Sequence, residues 1–205
     1  MSSWEDDVLG IRKGEATRAR IVSEAGRQAA IRGFGAISLG DVAEAVGLSK
    51  SGLFKHFDSK EDMELAALDQ GFDRFLAFVW ADADDLPPGR PRLEAVFDRW
   101  LDWAEVENAA GGCLINQAAV ELDDQPGPLR DLLQTRIRAW RGRQKAEFRR
   151  LREPPLSEAE ADGAVFQMKS FILGHSEQSR LLDDRTARES ARGAFRALLD
   201  RTAQG

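Results

Sequence analysis

An all-α chain of about nine helices is predicted by three observations. Apolar residues recur at i, i+3, i+4 and i+7 in one segment after another, and no segment alternates with the period of two that a half-buried strand needs. Gly, Pro and serine caps mark the boundaries between those segments. Neither a glycine-rich phosphate loop nor an internal repeat interrupts the pattern.

In order, residues 1–15 lack a helical period and contain Gly10 and Gly14, which predicts a flexible N-terminal arm. Thr17 caps a first helix to about Arg32, with Ile21, Val22, Ala25 and Ala29 on its inner face and Gly33 as its stop. Its Arg18 and Arg27 are candidates for phosphate, although charge on an exposed helix face is usually just solvated. Ser38 caps a second helix with Asp41 three residues on, and Leu39, Val42, Ala43 and Val46 share one face. Gly47 ends it, and Ser49 caps a short third helix within two residues. The small Ala43 suits a steep crossing, and Leu53 supplies the apolar contact from the third helix.

From Ser59 the sequence S-K-E-D opens a long helix toward Trp80, roughly 30 Å at 1.5 Å per residue. Pro87, Pro88, Gly89 and Pro91 mark a loop. Leu93, Val96, Phe97, Trp100, Leu101 and Ala104 follow as a strongly amphipathic helix, interrupted by Gly111 and Gly112. Leu114 to Leu122 forms a short apolar helix. The next is striped by Leu129, Leu133, Ile137, Trp140, Phe148 and Leu151, with arginines on its other face. Ser157 and Glu160 make a capping box, and two final helices run from about Glu158 to Leu182 and from about Asp184 to Arg201. The domains expected are the arm at 1–15, a helix-turn-helix domain at 16–62 and a larger helical domain at 63–205.

Three motifs sharpen this reading: G-F-x-x-x-S from Gly33 to Ser38, V-A-x-x-V-G-L-S from Val42 to Ser49, and G-L-F-K-H-F-x-S-K-E-D from Gly52 to Asp62. Together they make the stretch from Thr17 to about Met63 resemble the DNA-binding domain of the TetR family of bacterial transcriptional regulators. The resemblance implies a homodimer that binds a double-stranded, near-palindromic operator, most often as a repressor released by a small, often apolar effector held in the C-terminal domain. One departure stands out. The position of Phe54 is usually Tyr in the family, where the hydroxyl reaches a DNA phosphate, so Phe54 is expected to pack or to make van der Waals contact with the backbone.

The DNA face is placed on Ser38, Ser49, Lys50, Ser51, Gly52, Phe54, Lys55, His56 and Lys60, because two helix N-termini with serine hydroxyls lie together there. Lys50, Ser51 and His56 are candidates for base edges, and Lys55 and Lys60 for phosphates. The effector is expected against Phe97, Trp100, Ala104, Cys113, Gln117, Trp140 and Phe166, an aromatic set with a few directing polar groups, although each aromatic taken singly reads as ordinary core. Cys113, near a helix N-terminus, is read as a small hydrophobe rather than a redox-active thiolate. The terminal helices, with Phe171, His175, Ala191, Phe195 and Leu198, are expected to pack against a second copy.

Of the 205 residues, 42% are hydrophobic and 31% charged, a globular composition with no apolar run long enough to span a membrane. The polar, acidic start from Trp4 to Asp7 predicts no signal peptide, and a single cysteine fits a reducing compartment, so a cytoplasmic protein is expected. Net charge is −6, yet residues 12–62 hold nine Lys or Arg against seven Asp or Glu. The basic excess is small and correctly placed, which throws more of the binding onto neutral donors and dimerisation. His56 and His175 are the two histidines, and His175 has Phe171 and Ser179 at its i±4 positions. Neither a metal site, a cofactor nor a Ser-His-Asp unit is expected, and a small enzyme using the C-terminal cavity is disfavoured. The remaining alternative is a protein of the same fold that works through protein contacts without DNA, supported by the acidic balance and the missing hydroxyl at Phe54.

Overall fold

A computed structural model describes the backbone of residues 3–109 and 111–204 and the side chains of residues 14–107 and 111–204. Among the described residues there are nine α-helices, one short 3-10 turn and no strand. The helices are α1 (Ser3–Arg32), α2 (Leu39–Ala45), α3 (Lys50–Leu53), α4 (Lys60–Val79), α5 (Arg90–Ala109), α6 (Leu114–Glu121), α7 (Pro128–Arg149), α8 (Glu158–Leu181) and α9 (Ala187–Gln204). The all-α expectation holds. The expected arm does not, since α1 begins at Ser3 and takes in Gly10 and Gly14. Trp4, Val8 and Ile11 stand at helical spacing, and Glu5 to Asp7 suit a first turn, a signal that the two glycines masked. The 3-10 turn at Ala83–Asp85 lies in a stretch expected as loop.

The chain forms two compact units, Met1–Asp73 with Gly112–Gln134 and Arg74–Gly111 with Thr135–Gly205, and the division falls inside α4 and inside α7. In the first unit Ile21, Val22, Ala25 and Ala29 of α1 meet Val42 and Ala43 of α2 and Leu53 of α3 in a closed apolar core. Helix α6 lies along α1. Its first residue, Leu114, is buried and keyed against two glycines: a Cβ on Gly26 would stand 3.7 Å from Leu114 Cδ2, and one on Gly71 only 2.6 Å away. Any larger residue at Gly71 would push the Leu114 side chain out of its seat.

The second unit is organised by aromatic rings and by one buried ion pair. Phe75 meets Trp100, Trp103 and Trp140 edge-on, with centroids 5.4 to 5.7 Å apart, and Phe97 stacks on Phe195 of α9 at 4.0 Å. Such pairs add about 0.5–1.5 kcal/mol each beyond the area they bury. Arg92 of α5 satisfies a whole set of orphan acceptors. Its guanidinium donates to the carbonyls of Ala83, Asp84 and Leu86 and, at 3.0 Å, to Glu147 of α7, while the other oxygen of Glu147 accepts the amide of Gly89 at 2.7 Å. Along α9, Arg192 is bidentate to Asp98 of α5, and Arg188 bridges Asp102 and Glu105. Near the end of α7, Lys145 and Arg149 pair with Glu158 of α8, and Arg152, just beyond α7, pairs with Glu160. These exposed pairs contribute under about 1 kcal/mol each and mainly fix helix register.

Glu147, with 4% of its side chain exposed, is also paired with the half-exposed Arg150 at 2.6 Å. Arg92→Ala removes its buried partner and the side-chain donor to three carbonyls, and is expected to cost about 1–3 kcal/mol. A lowered urea midpoint at unchanged slope checks it; a midpoint equal to wild type would show that Arg150 replaces Arg92.

Candidate nucleic-acid interface

The helix-turn-helix is built from local hydrogen bonds at the ends of two very short helices. Ser38 is extended, and its hydroxyl accepts the amide of Asp41 at 3.1 Å. At the other end Gly47 adopts φ +71; its amide reaches the Glu44 carbonyl and that of Leu48 the Ala43 carbonyl, the paired bonds of a Schellman turn. From α1, Arg20 donates to the Val46 carbonyl at 2.8 Å, placing a cation on the C-terminal pole of α2. Ser49 then accepts the amide of Gly52 at 3.0 Å and lies 3.0 Å from the Ser51 hydroxyl. Seven residues of α2 and four of α3 are too few to persist alone, so these caps and the buried Leu53 hold the recognition segment in place.

On the outside of this scaffold Ser38, Ser49, Lys50, Ser51 and Lys55 are exposed, and Gly52 and His56 are partly so. Phe54 is 45% exposed, which leaves its ring on the surface rather than in the core. Gly52 sits close beneath the cap, since a Cβ there would stand 3.2 Å from Ser49 Oγ. Lys60 is placed differently from the expected phosphate contact. Its ammonium donates to the Phe34 carbonyl at 3.2 Å and pairs with Glu64 at 3.1 Å. Burial raises the Glu64 carboxyl above its ordinary pKa, and Lys60 opposes that shift. Arg27 is likewise engaged, bidentate to Glu24, and Arg18 lies over the Phe57 ring at 4.6 Å. A groove of about 700 Å3 between α1 and α4 carries Glu15, Asp62, Asp69 and Asp73 against a single arginine, a balance that repels phosphate.

Two contributors were not expected here: Arg20, and Glu121 at the end of α6, which the sequence offered instead as a polar group for the effector cavity. Glu121 accepts the amides of Phe34 at 2.8 Å and Gly35 at 2.6 Å. The turn that leads into α2 is thus gripped through its donors by Glu121 and through the Phe34 carbonyl by Lys60. Gly33 has φ +83, and a Cβ there would lie 2.7 Å from the Glu121 carboxylate, so the grip requires glycine.

The residues expected to meet an effector are not all brought together. Phe97, Trp100, Ala104 and Trp140 are buried in the second unit, whereas Cys113 and the exposed Gln117 belong to the first. Phe166 is 69% exposed on the outer face of α8, a correction to its expected inward position. The aromatic group instead recruits Phe75 and Trp103. The indole N–H groups of Trp103 and Trp140 are buried without an acceptor, and the Lys169 ammonium lies 5.3 Å from the Trp100 ring centre. The expected dimer contacts are corrected in the same way. His175, Ala191, Phe195 and Leu198 are buried within one chain, and Phe171 is half-buried. Burial also lowers the His175 pKa, with Glu105 opposing. The outward stripe of α8 is Phe166, Ser170, Leu173, Glu177 and Leu181. Both faces of α8 carry large apolar residues, and periodicity alone does not tell which of them the chain itself covers.

Two family models match the chain: bacterial regulatory proteins of the tetR family over residues 21–67, and the tetracyclin repressor-like C-terminal domain over residues 89–195. The HTH-type transcriptional activator FasR of Mycolicibacterium smegmatis is 31% identical over 74 residues, a match that spans 36% of this chain and about a third (34%) of that protein. A TetR transcriptional regulator from Chloroflexus aurantiacus superposes with a TM-score of 0.75 at 27% identity, covering 94% of this chain and 97% of that one. AibR, solved in complex with isovaleryl coenzyme A and operator DNA, shares the fold, with a TM-score of 0.72 at 19% identity over 89% of this chain and 98% of its own. Capped short helices around Gly47, an exposed donor set on α3 and these two matched domains lead to one conclusion: the chain belongs to the TetR family of bacterial transcriptional regulators.

Proposed function

We propose that the protein is a homodimeric, ligand-responsive repressor, with residues 16–62 as its DNA-binding domain and residues 63–205 binding effector and partner. The observation that carries the reading is the exposed set of Ser49, Lys50, Ser51 and Lys55 on a recognition segment whose own backbone is already satisfied by its caps. Lys50, Ser51 and His56 face base edges, Lys55 takes a phosphate, and Phe54 lies against the sugar-phosphate backbone. Such a protein works in the cytoplasm on chromosomal DNA and needs no catalytic chemistry. Selection of duplexes from random DNA, followed by gel shift on the winner, tests the reading. Failure to enrich any sequence would favour action through protein contacts. The match to FasR, an activator, supports a second reading of the sign alone: the same binding raising transcription.

A four-residue recognition helix reads too few bases by itself, so two copies on a near-palindrome follow from specificity. We place the partner on the outward stripe of α8, where Phe166, Leu173 and Leu181 are 69%, 45% and 72% exposed. The effector belongs with the aromatic group of the second unit. The unsatisfied indole donors of Trp103 and Trp140 ask for a flat, largely apolar compound bearing an acceptor oxygen. AibR, with the same fold, carries an acyl coenzyme A together with operator DNA. An effector acts only through unequal affinity for the DNA-binding and released conformations.

Three outcomes follow. Lys55→Ala should weaken binding to all sequences alike and lower the slope of log K against log salt by about one, whereas Lys60→Ala should change the slope less because its ammonium is held internally. Phe166→Glu should shift sedimentation toward monomer with a melting temperature near wild type, whereas Phe195→Glu should unfold the second unit. In a thermal-shift screen, an effector at 100 times its dissociation constant should add about 2.7 kcal/mol. Effectors should quench tryptophan fluorescence and release the selected duplex; stabilising compounds that leave DNA affinity unchanged would refute induction.

A further inference from the structure

The contact between Glu121 and the turn at Phe34 and Gly35 joins α6 to the recognition helices across 87 residues of sequence. We infer that Glu121 is a positioning residue for DNA binding: carried on α6, it presets the turn from which α2 and α3 are hung. The inference rests on the DNA-binding reading and adds to it a residue far from the recognition helix.

Four observations carry it. First, the contact is bidentate, with each carboxylate oxygen accepting one of two consecutive amides. Those amides follow the end of α1 and precede the Ser38 cap, so no helix supplies them with a carbonyl. A carboxylate on such amides makes charge-assisted bonds, stronger than a neutral acceptor would make. Second, the same turn is held on its acceptor side by Lys60 of α4, itself paired with Glu64. The turn therefore has fixed points on two elements that are not its neighbours in sequence. Third, Phe34 is buried at 2% exposure and its carbonyl also accepts the Ile37 amide at 3.3 Å, so the position of the turn sets the entry of the chain into Ser38 and α2. Fourth, α6 is a short lever anchored at both ends within the first unit. Leu114 is seated against Gly26 and Gly71 at one end, and Glu121 grips the turn at the other. A displacement of α6 along α1 moves the carboxylate with it.

The chemistry gives a direction. With the grip in place, α2 and α3 meet DNA already ordered; without it, part of the binding free energy goes into ordering the turn. Glu121→Ala removes both acceptors. Glu121→Gln keeps the shape and one oxygen, and so tests the charge and the second bond.

The experiment uses the full-length protein and a duplex selected by the wild type. In Glu121→Ala, amide exchange at Phe34 and Gly35 should rise about tenfold, while the amides of Leu53 and His56 keep their wild-type rates. The dissociation constant for the duplex should rise about tenfold at an unchanged salt slope, because the phosphate contacts are untouched. Glu121→Gln should fall between Ala and wild type in both. Ile21→Val, a core change in α1, destabilises the unit without touching the turn and should leave the dissociation constant within twofold of wild type. Unchanged exchange at Phe34 and Gly35 would overturn the inference, as would raised exchange with DNA affinity within twofold of wild type, or an Ile21→Val loss equal to that of Glu121→Ala. If the wild type selects no duplex, the DNA-binding reading fails and the positioning role falls with it; exchange in the free protein still shows separately whether Glu121 grips the turn.

Discussion

The constraint on which this structure depends is the hydrogen bonding of backbone groups at helix ends. Each α-helix leaves four amides and four carbonyls without internal partners, and α2 and α3 are so short that almost every backbone group in them is terminal. Their stability is thus a matter of caps. Ser38, Ser49 and the paired bonds around Gly47 supply the local ones, Arg20 supplies a distant one, and Glu121 satisfies the two amides of the turn that leads into α2. The second unit meets the same demand with Arg92, which collects three carbonyls on one guanidinium, and with the Ser157 and Glu160 capping box. There the Ser157 hydroxyl and amide hold the Glu160 carboxyl down to about 2.

How far such a structure can be read from sequence depends on the reach of each interaction. The turn at Gly47 and the caps at Ser38 and Ser49 are fixed within three to five residues, and sequence reasoning placed them correctly. The internal contact of Lys60 was not legible because its partner, the Phe34 carbonyl, is an atom every residue has. Glu121, read as a polar group for the effector cavity, has other partners for a similar reason: nothing in a glutamate at the end of a short apolar helix announces two amides 86 and 87 residues earlier. The start of α1 was hidden by glycines that the helix tolerates.

The long helices teach a different lesson. On α8 the sequence offers Ala161, Ala164, Val165, Met168 and Ile172 on one side and Phe166, Leu173 and Leu181 on another. Periodicity says that such a helix has two apolar faces without saying which one the chain itself covers. The inner face is settled by neighbours that are far away in sequence, such as Gln144 of α7, whose amide lies 3.4 Å from Met168 Sδ. Hence the aromatic group was legible as a set, while the side on which Phe166 lies was not.

The internal engagement of cations in the first unit has a kinetic consequence. Arg27 and Lys60 are paired with Glu24 and Glu64, and Arg18 and Arg20 are turned onto the Phe57 ring and the Val46 carbonyl, so fewer cations of the first unit are placed for direct phosphate contact than the sequence suggests. With a net charge of −6 behind it, the protein gains little from long-range steering or from loose sliding contact with arbitrary duplex. For the regulator proposed above, few copies would then be held on arbitrary duplex, and occupancy of a preferred sequence would track the concentration of free protein.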